Sequence, residues 1–279
     1  MMNDLKKFYG VFKEQEAFDY AASYYNVLSQ GNPFWNKSLD IIGETAEHYF
    51  RTSLELQVSG LCLIAGKPRN EILLPVSFAF FVVDHLTMGW CALMASHFRV
   101  AYSMSRGAVE GSIFELASAT KPDTFTDLWN SKRGTGGTVL RSLKESIPKE
   151  SYDILDRGWK LTVSFGHASF SPVSSSAQIV KGDKQKRIGI MTFGGPNGPL
   201  NESAILELGI AFGTASLVGL EAMHKCEFRE IQNSDRWITR YEQIMKETKE
   251  VAERALKKLR KWEMAQHLNS ADPKNRAAD

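Results

Sequence analysis

The sequence has too few cysteines for a disulfide framework or a cysteine-based metal or redox motif. Its 279 residues contain three, Cys62, Cys91 and Cys226, at wide spacings and never as a CxxC pair. We therefore expect free buried thiols and a reducing, cytoplasmic location. The first twenty residues interleave charged and apolar side chains, so they lack the continuous apolar core of a secretory signal.

The sequence also lacks an excess of charge of either sign. Lys and Arg total 34 and Asp and Glu total 32, which gives a formal net charge of +2. This balance excludes a strongly basic, dedicated nucleic-acid binder but leaves local contacts with nucleic acid open. The hydrophobic share of 43% and the charged share of 24% are those of a globular protein, and they exclude intrinsic disorder and collagen-like repeats.

Strand-like alternation is scarce, whereas apolar residues recur every three or four positions through most of the chain. This periodicity predicts an all-α multi-helix bundle over residues 1–267, with a flexible tail over 268–279. Residues 171–200 are predicted to be a loop insertion that holds one small β-hairpin, since segments 177–180 and 187–193 flank a polar turn. In the predicted helix over 201–223, Ala211, Ala215 and Gly219 form a row of small residues that lets a neighbour approach closely.

Long apolar runs are few, and the longest is interrupted. Residues 72–96 are apolar on all sides, which is typical of a central bundle helix or of a membrane span. Asp84 and His85 end the uninterrupted part after about a dozen residues, short of the roughly 20 that a bilayer requires. We therefore expect a core helix and no membrane partner, with Asp84 and His85 as structural polar anchors.

The predicted C-terminal helix over 228–262 carries an apolar seam with spacings of three and four, from Ile238 to Trp262. Thr248, Ala252 and Ala255 weaken this seam, which favours an ordinary long helix lying along the bundle. The alternative is a homodimer formed through this helix.

The segment around Arg106 and Glu110 holds the first candidate site residues. On a helix they are one turn apart, on a stripe shared with Tyr102 and Val109, so both should be at least partly buried. A buried arginine requires a partner, and pairing with Glu110 leaves guanidinium donors for a third group or a bound anion. The alternative is a structural salt bridge.

His167 is the third candidate site residue. It follows Val163 by four positions at the C-terminal end of a predicted helix, where the helix dipole favours the protonated imidazole. It can serve as an acid, a base or an anion contact; the alternative is a capping or packing role. We predict that Arg106, Glu110 and His167 lie within about 10 Å of one another and line one polar cavity.

A glycine-rich segment over 132–138 places two positive charges and three glycines before a predicted helix, which suits an anion. It lacks the spacing of a phosphate-binding loop and has no preceding strand, so a hinge is the favoured interpretation. The sequence indicates no metal site and no cofactor.

The order of these features resembles a family of uncharacterised bacterial helical proteins, in which an Arg-Ser-x-x-Glu helix is followed by a distant histidine. The resemblance spans about residues 61–223, with Gly107 in place of the family's serine. The matching features are a long apolar helix, Arg106-x-x-x-Glu110, Lys121-Pro122, a helix with Trp129, and a helix with Tyr152 and Trp159 before His167. The family's organisation is similar to the HEPN-type bundles of abortive-infection and toxin systems.

The resemblance implies a binding or regulatory module in a bacterial stress or phage-defence setting, with a small anion or nucleic acid as its partner. The alternative is a hydrolytic enzyme acting on RNA or a nucleotide. In that case His167 would be the acid or base and Arg106 would stabilise the anion, with Glu110 beside it.

Overall fold

The computed structural model describes residues 13–29, 35–64, 73–95, 97–131, 134–165, 177–181, 187–191 and 199–247. Over these residues the chain is an all-α multi-helix bundle, so the predicted fold class is confirmed. The tail over 268–279, the C-terminal helix beyond residue 247 and His167 lie outside the described residues.

The helices follow one another with short connections. The first five are α1 (Glu14–Ser29), α2 (Trp35–Ile42), α3 (Glu44–Ile64), α4 (Leu73–Met94) and α5 (Phe98–Thr120). The next three are α6 (Pro122–Asn130), α7 (Gly136–Leu143) and α8 (Lys149–Phe165). Strands β1 (Ala177–Lys181) and β2 (Arg187–Met191) pair antiparallel, with Ala177 opposite Met191. Then come α9 (Pro199–Lys225), α10 (Arg229–Gln232) and α11, helical over 235–247.

The predicted helix over 228–262 is divided near its start. Ser234 lies between α10 and α11, and its Oγ accepts a hydrogen bond of 3.2 Å from the backbone nitrogen of Trp237. This is the geometry of a serine N-cap, so a new helix begins there. The Trp237 indole then donates to the carbonyl of Leu56 at 2.9 Å and holds α11 against α3.

Helix α5 is the centre of the bundle. It packs against α4 on one side and α9 on another, and it also contacts α6, α7 and α8. Aromatic side chains fill the space between the neighbouring helices: Phe50 of α3 stacks on Trp90 of α4 with ring centroids 3.9 Å apart, and Phe212 of α9 meets both edge-on. The candidate site residues Arg106 and Glu110 are therefore on the helix with the most extensive packing contacts in the described bundle.

Two helical segments, Leu74–Met94 and Ala204–Lys225, are long and apolar enough to cross a membrane by length and composition alone. The bundle buries 50% of the first window and 67% of the second, and core helices of soluble proteins pass the same test. The outer face of α4 exposes Leu74, Phe80, Phe81 and Met88. Asp84, for which the sequence predicts the role of a structural polar anchor, is exposed on this helix.

Candidate functional site

Glu110 is held in place by α7, a helix that the sequence analysis does not identify as its partner. The backbone nitrogen of Gly136, the first residue of α7, donates a hydrogen bond of 3.1 Å to Glu110 Oε1. A carboxylate at this position also interacts favourably with the positive end of the α7 dipole. Glu110 thus fastens α7 to α5, which is a structural role.

Arg106 is half-buried on α5, one turn before Glu110. In the described part of the chain it has no hydrogen bond and no ion pair within 4.0 Å, and the ion pairs formed there are Lys160–Asp156 and Lys225–Glu221. The expected pair with Glu110 is therefore not formed, because the Glu110 carboxylate is turned towards α7. The Arg106 guanidinium keeps its donors for another group.

The two glycines at the start of α7 allow close packing. A Cβ at Gly136 would lie 2.6 Å from the Trp159 ring, and one at Gly137 would lie 3.2 Å from Trp159 Nε1. The tryptophan of α8 therefore lies directly against this backbone. Since the Gly136 amide already donates to Glu110, it is not available to a phosphate, and the hinge over 132–138 stays a prediction because residues 132–133 lie outside the described part of the chain.

His85 is the histidine that the described structure places beside the Arg106 segment. Its ring stacks on Phe81 and lies against Gly107, where its Nε2 is 2.6 Å from the position a Cβ would take. Its Nδ1 is 2.9 Å from the carbonyl oxygen of Phe81. Because a carbonyl can only accept, Nδ1 carries the hydrogen, and the neutral ring has its lone pair on Nε2.

Sequence reasoning missed this contact, although a signal for it exists. Phe81 and His85 are four residues apart on α4, and Gly107 and Gly111 are four apart on α5. Each ring lies over one glycine, since a Cβ at Gly111 would be 2.7 Å from Phe81 Cδ1. Matched spacings of two rings and two glycines on consecutive helices would have predicted that they pack together.

His167 lies outside the described residues, so its predicted place beside Arg106 and Glu110 stays a prediction. Among the residues that the structure describes, no group of three His, Cys, Asp or Glu side chains could hold a metal ion. What the structure does bring together is the His85 ring and Gly107, the residue after Arg106, where α4 and α5 meet.

A surface pocket of about 510 Å³ lies at the end of α9, lined by His224, Lys225, Glu227, Arg229 and Gln232. Several of these polar groups are already engaged. His224 stacks on Tyr241 at 4.4 Å, Gln232 Nε2 donates to the His224 carbonyl, and Lys225 lies 3.6 Å from Glu221. We assign this pocket no ligand.

Comparison of the chain with protein-family models, with curated proteins and with solved structures finds no match. The candidate site is therefore defined by its own geometry: a half-buried arginine without a described partner, followed by a glycine on which the His85 ring lies.

Proposed function

We propose that the protein is a binding or regulatory module that recognises a small anion, such as the phosphate group of a nucleotide or nucleic acid, through Arg106. The observation that carries the proposal is the half-buried Arg106 guanidinium, which has no described partner although Glu110 is one turn away. A guanidinium presents its donors in a planar fork that matches the oxygens of a phosphate or carboxylate.

His85 supports this proposal from the neighbouring helix. The Phe81 carbonyl holds its Nδ1, so Nε2 is the nitrogen that faces the Gly107 backbone next to Arg106. This nitrogen is the polar atom that His85 presents to the segment that carries Arg106.

The resemblance to HEPN-type bundles supports a cytoplasmic role in a bacterial stress or phage-defence setting, without a membrane partner, and this setting is part of the proposal. The proposal also includes the position of the small β-hairpin as an insertion within the one helical domain. A homodimer through the C-terminal helix stays a prediction, because most of its seam lies outside the described residues.

Calorimetric titration with inorganic phosphate, with a nucleoside monophosphate and with a short RNA tests the proposal. We expect Arg106→Ala to weaken binding about 10- to 100-fold, as expected for the loss of a charge-assisted hydrogen bond. The affinity of Arg106→Lys should lie between those of the wild type and Arg106→Ala, because lysine keeps the positive charge but lacks the planar fork of donors. Arg99→Ala is the matched control, since Arg99 is an exposed cation on the same helix. Equal losses for Arg99→Ala and Arg106→Ala, or no loss for either, would contradict the proposal.

A second candidate function is hydrolysis of RNA or a nucleotide. It is favoured by the fixed tautomer of His85, because a general base needs an available lone pair near its substrate. The sequence assigns the acid or base role to His167 instead. Hydrolysis assays on the wild type, His85→Ala and His167→Ala separate these cases. Loss of activity identifies the histidine that acts, and a wild type without hydrolysis of either substrate rejects the enzyme.

A further inference from the structure

One carboxyl group lies in the core without a hydrogen-bond partner. Glu115 of α5 is 1% exposed, and its Oε2 is buried with no partner among the described residues. No described cationic nitrogen lies within 4.0 Å of its carboxylate. Burial raises the pKa of this carboxyl well above its usual value, because the charged form loses its hydration.

The amide of Gln57 on α3, also 1% exposed, has a fixed orientation. Its Nε2 donates to the backbone oxygen of Ser216 at 3.1 Å and to the Ser216 Oγ at 2.9 Å. A backbone oxygen can only accept, so the NH₂ group must face Ser216 on α9. The amide oxygen Oε1 consequently points the other way.

That oxygen and the Glu115 carboxyl face the same point. A Cβ built on Gly219 of α9 would lie 2.7 Å from Gln57 Oε1 and 3.4 Å from Glu115 Oε2. Both atoms are hydrogen-bond acceptors when Glu115 is ionised, and two buried acceptors that face one another repel unless a donor stands between them. Gly219 leaves this space free of any side chain of its own.

We propose that Glu115 binds a proton at neutral pH and, as a neutral carboxylic acid, donates a hydrogen bond to Gln57 Oε1, directly or through one water molecule. The proton then joins three helices, because α5 supplies the acid, α3 supplies the amide, and α9 supplies the Ser216 groups that orient that amide. Removal of the proton leaves a buried anion opposite an amide oxygen. The contact between α5, α3 and α9 therefore depends on this proton, and it weakens as the pH rises. We call this proton-dependent contact the latch.

The other groups around Glu115 do not supply the missing donor. The polar neighbour from α3 is Gln57, whose amide is bonded to Ser216 of α9, and the Ser216 hydroxyl lies 2.5 Å from that of Ser53 in a bond with it. The titratable neighbour is Cys226, just after α9. Burial and then the charge of Glu115 raise the pKa of this thiol. Its sulfur makes no hydrogen bond to Glu115 Oε2, so it does not supply the donor either.

The pH dependence of unfolding tests the latch. Since the folded-state pKa of Glu115 is raised, its proton stabilises the fold fully below the unfolded pKa near 4.5, and this stabilisation is lost as the pH rises towards the folded value. Glu115→Gln mimics the neutral acid, because its NH₂ can donate to Gln57 Oε1. We expect the ratio of the unfolding constants, wild type over Glu115→Gln, to rise by up to about tenfold per pH unit as the pH rises from the unfolded pKa towards the raised folded pKa of Glu115.

Glu221→Gln is the matched control. Glu221 is a buried carboxylate on α9, but Lys225 Nζ lies 3.6 Å from it and compensates its charge. The corresponding ratio for this variant should stay nearly constant over the same range. A constant ratio for Glu115→Gln as well, or an equal rise for both variants, would overturn the proposal.

Infrared spectroscopy of the folded wild type gives an independent measurement that requires no unfolding. The carbonyl stretch of a protonated carboxylic acid should be present at neutral pH, shift in heavy water and be missing from Glu115→Gln. A neutral-pH spectrum without this band overturns the proposal. The proposal is also overturned if the wild type regains its stability at alkaline pH when sodium replaces choline at constant ionic strength. That result would mean that a metal cation occupies the space between Glu115 and Gln57.

Discussion

The imidazole of His85 lies directly against the α-carbon of Gly107, so position 107 has no room for a side chain. This contact sets the distance between α4 and α5 at the point where Arg106 and Glu110 leave the core. A single methyl group at position 107 would meet the ring, and the ring is itself held by the Phe81 carbonyl and by its stacking on Phe81.

Gly107→Ala should therefore destabilise the protein by about 1–3 kcal/mol, the usual cost of overpacking a close contact. Gly213→Ala on α9 is the control, because a Cβ there meets nothing within 4 Å. That control should be neutral or stabilising by up to about 1 kcal/mol, since alanine is the better helix former. Urea unfolding measures both, and similar effects of the two substitutions would mean that the His85 ring does not lie on Gly107.

Arg106→Ala should cost less than about 1 kcal/mol of stability, because the half-buried guanidinium has no described ion pair to lose. Truncating one member of a buried pair would instead cost about 3–5 kcal/mol. Thermal melting distinguishes the two. A loss in the larger range would show that Arg106 is paired in the folded protein.

Glu110→Ala should cost about 0.5–2 kcal/mol, because the Gly136 amide at the start of α7 loses its acceptor. Glu110→Gln keeps an oxygen for this hydrogen bond and loses only the interaction of the charge with the α7 dipole, worth about 0.3–1 kcal/mol. Chemical denaturation of the two variants should rank glutamine above alanine. Equal losses of stability in the two variants would mean that only the charge of Glu110 contributes to stability.

The three thiols should react slowly with an alkylating reagent in the folded protein. Burial raises the pKa of Cys62 to about 11, and it raises the pKa of Cys91 and Cys226 as well. The thiolate is the reactive form, so little of it is present at neutral pH. Mass spectrometry should find alkylation at all three positions only after denaturation. Rapid labelling of Cys62 in the native state would be inconsistent with its burial.

The protein should be recovered in the soluble fraction after lysis without detergent. The most apolar helix, α4, is half buried by its neighbours, and its exposed face includes the charged residue Asp84. An Asp near the middle of a membrane span would cost about 3 kcal/mol. Fractionation by centrifugation tests this expectation, and recovery of folded protein only with the membranes would contradict it.

The helices could be predicted because apolar periodicity and helix breakers are local features of the sequence. The end of α5 at Lys121-Pro122 is an example that the structure confirms. The partners of polar side chains are not local in this sense. Glu110 bonds to a backbone 26 residues away, and spacing along α5 favours Arg106, which is one turn away, over that distant amide. In the sequence of α5, nothing distinguishes Glu115 from other polar residues of an amphipathic helix. Its burial follows from the packing of α3 and α9.

The glycines under Phe81 and His85 have a consequence for how the chain acquires its shape. Gly107 and Gly111 each disfavour an isolated helix by about 1 kcal/mol relative to alanine, so a peptide with the sequence of α5 alone should be mostly unfolded in water. The two rings of α4 fill the spaces that these glycines leave, so the packing that needs glycine also compensates for its weak helix propensity. Helix α5 and its packing against α4 should thus form in one cooperative event, and the bundle should have no stable intermediate in which its central helix stands by itself.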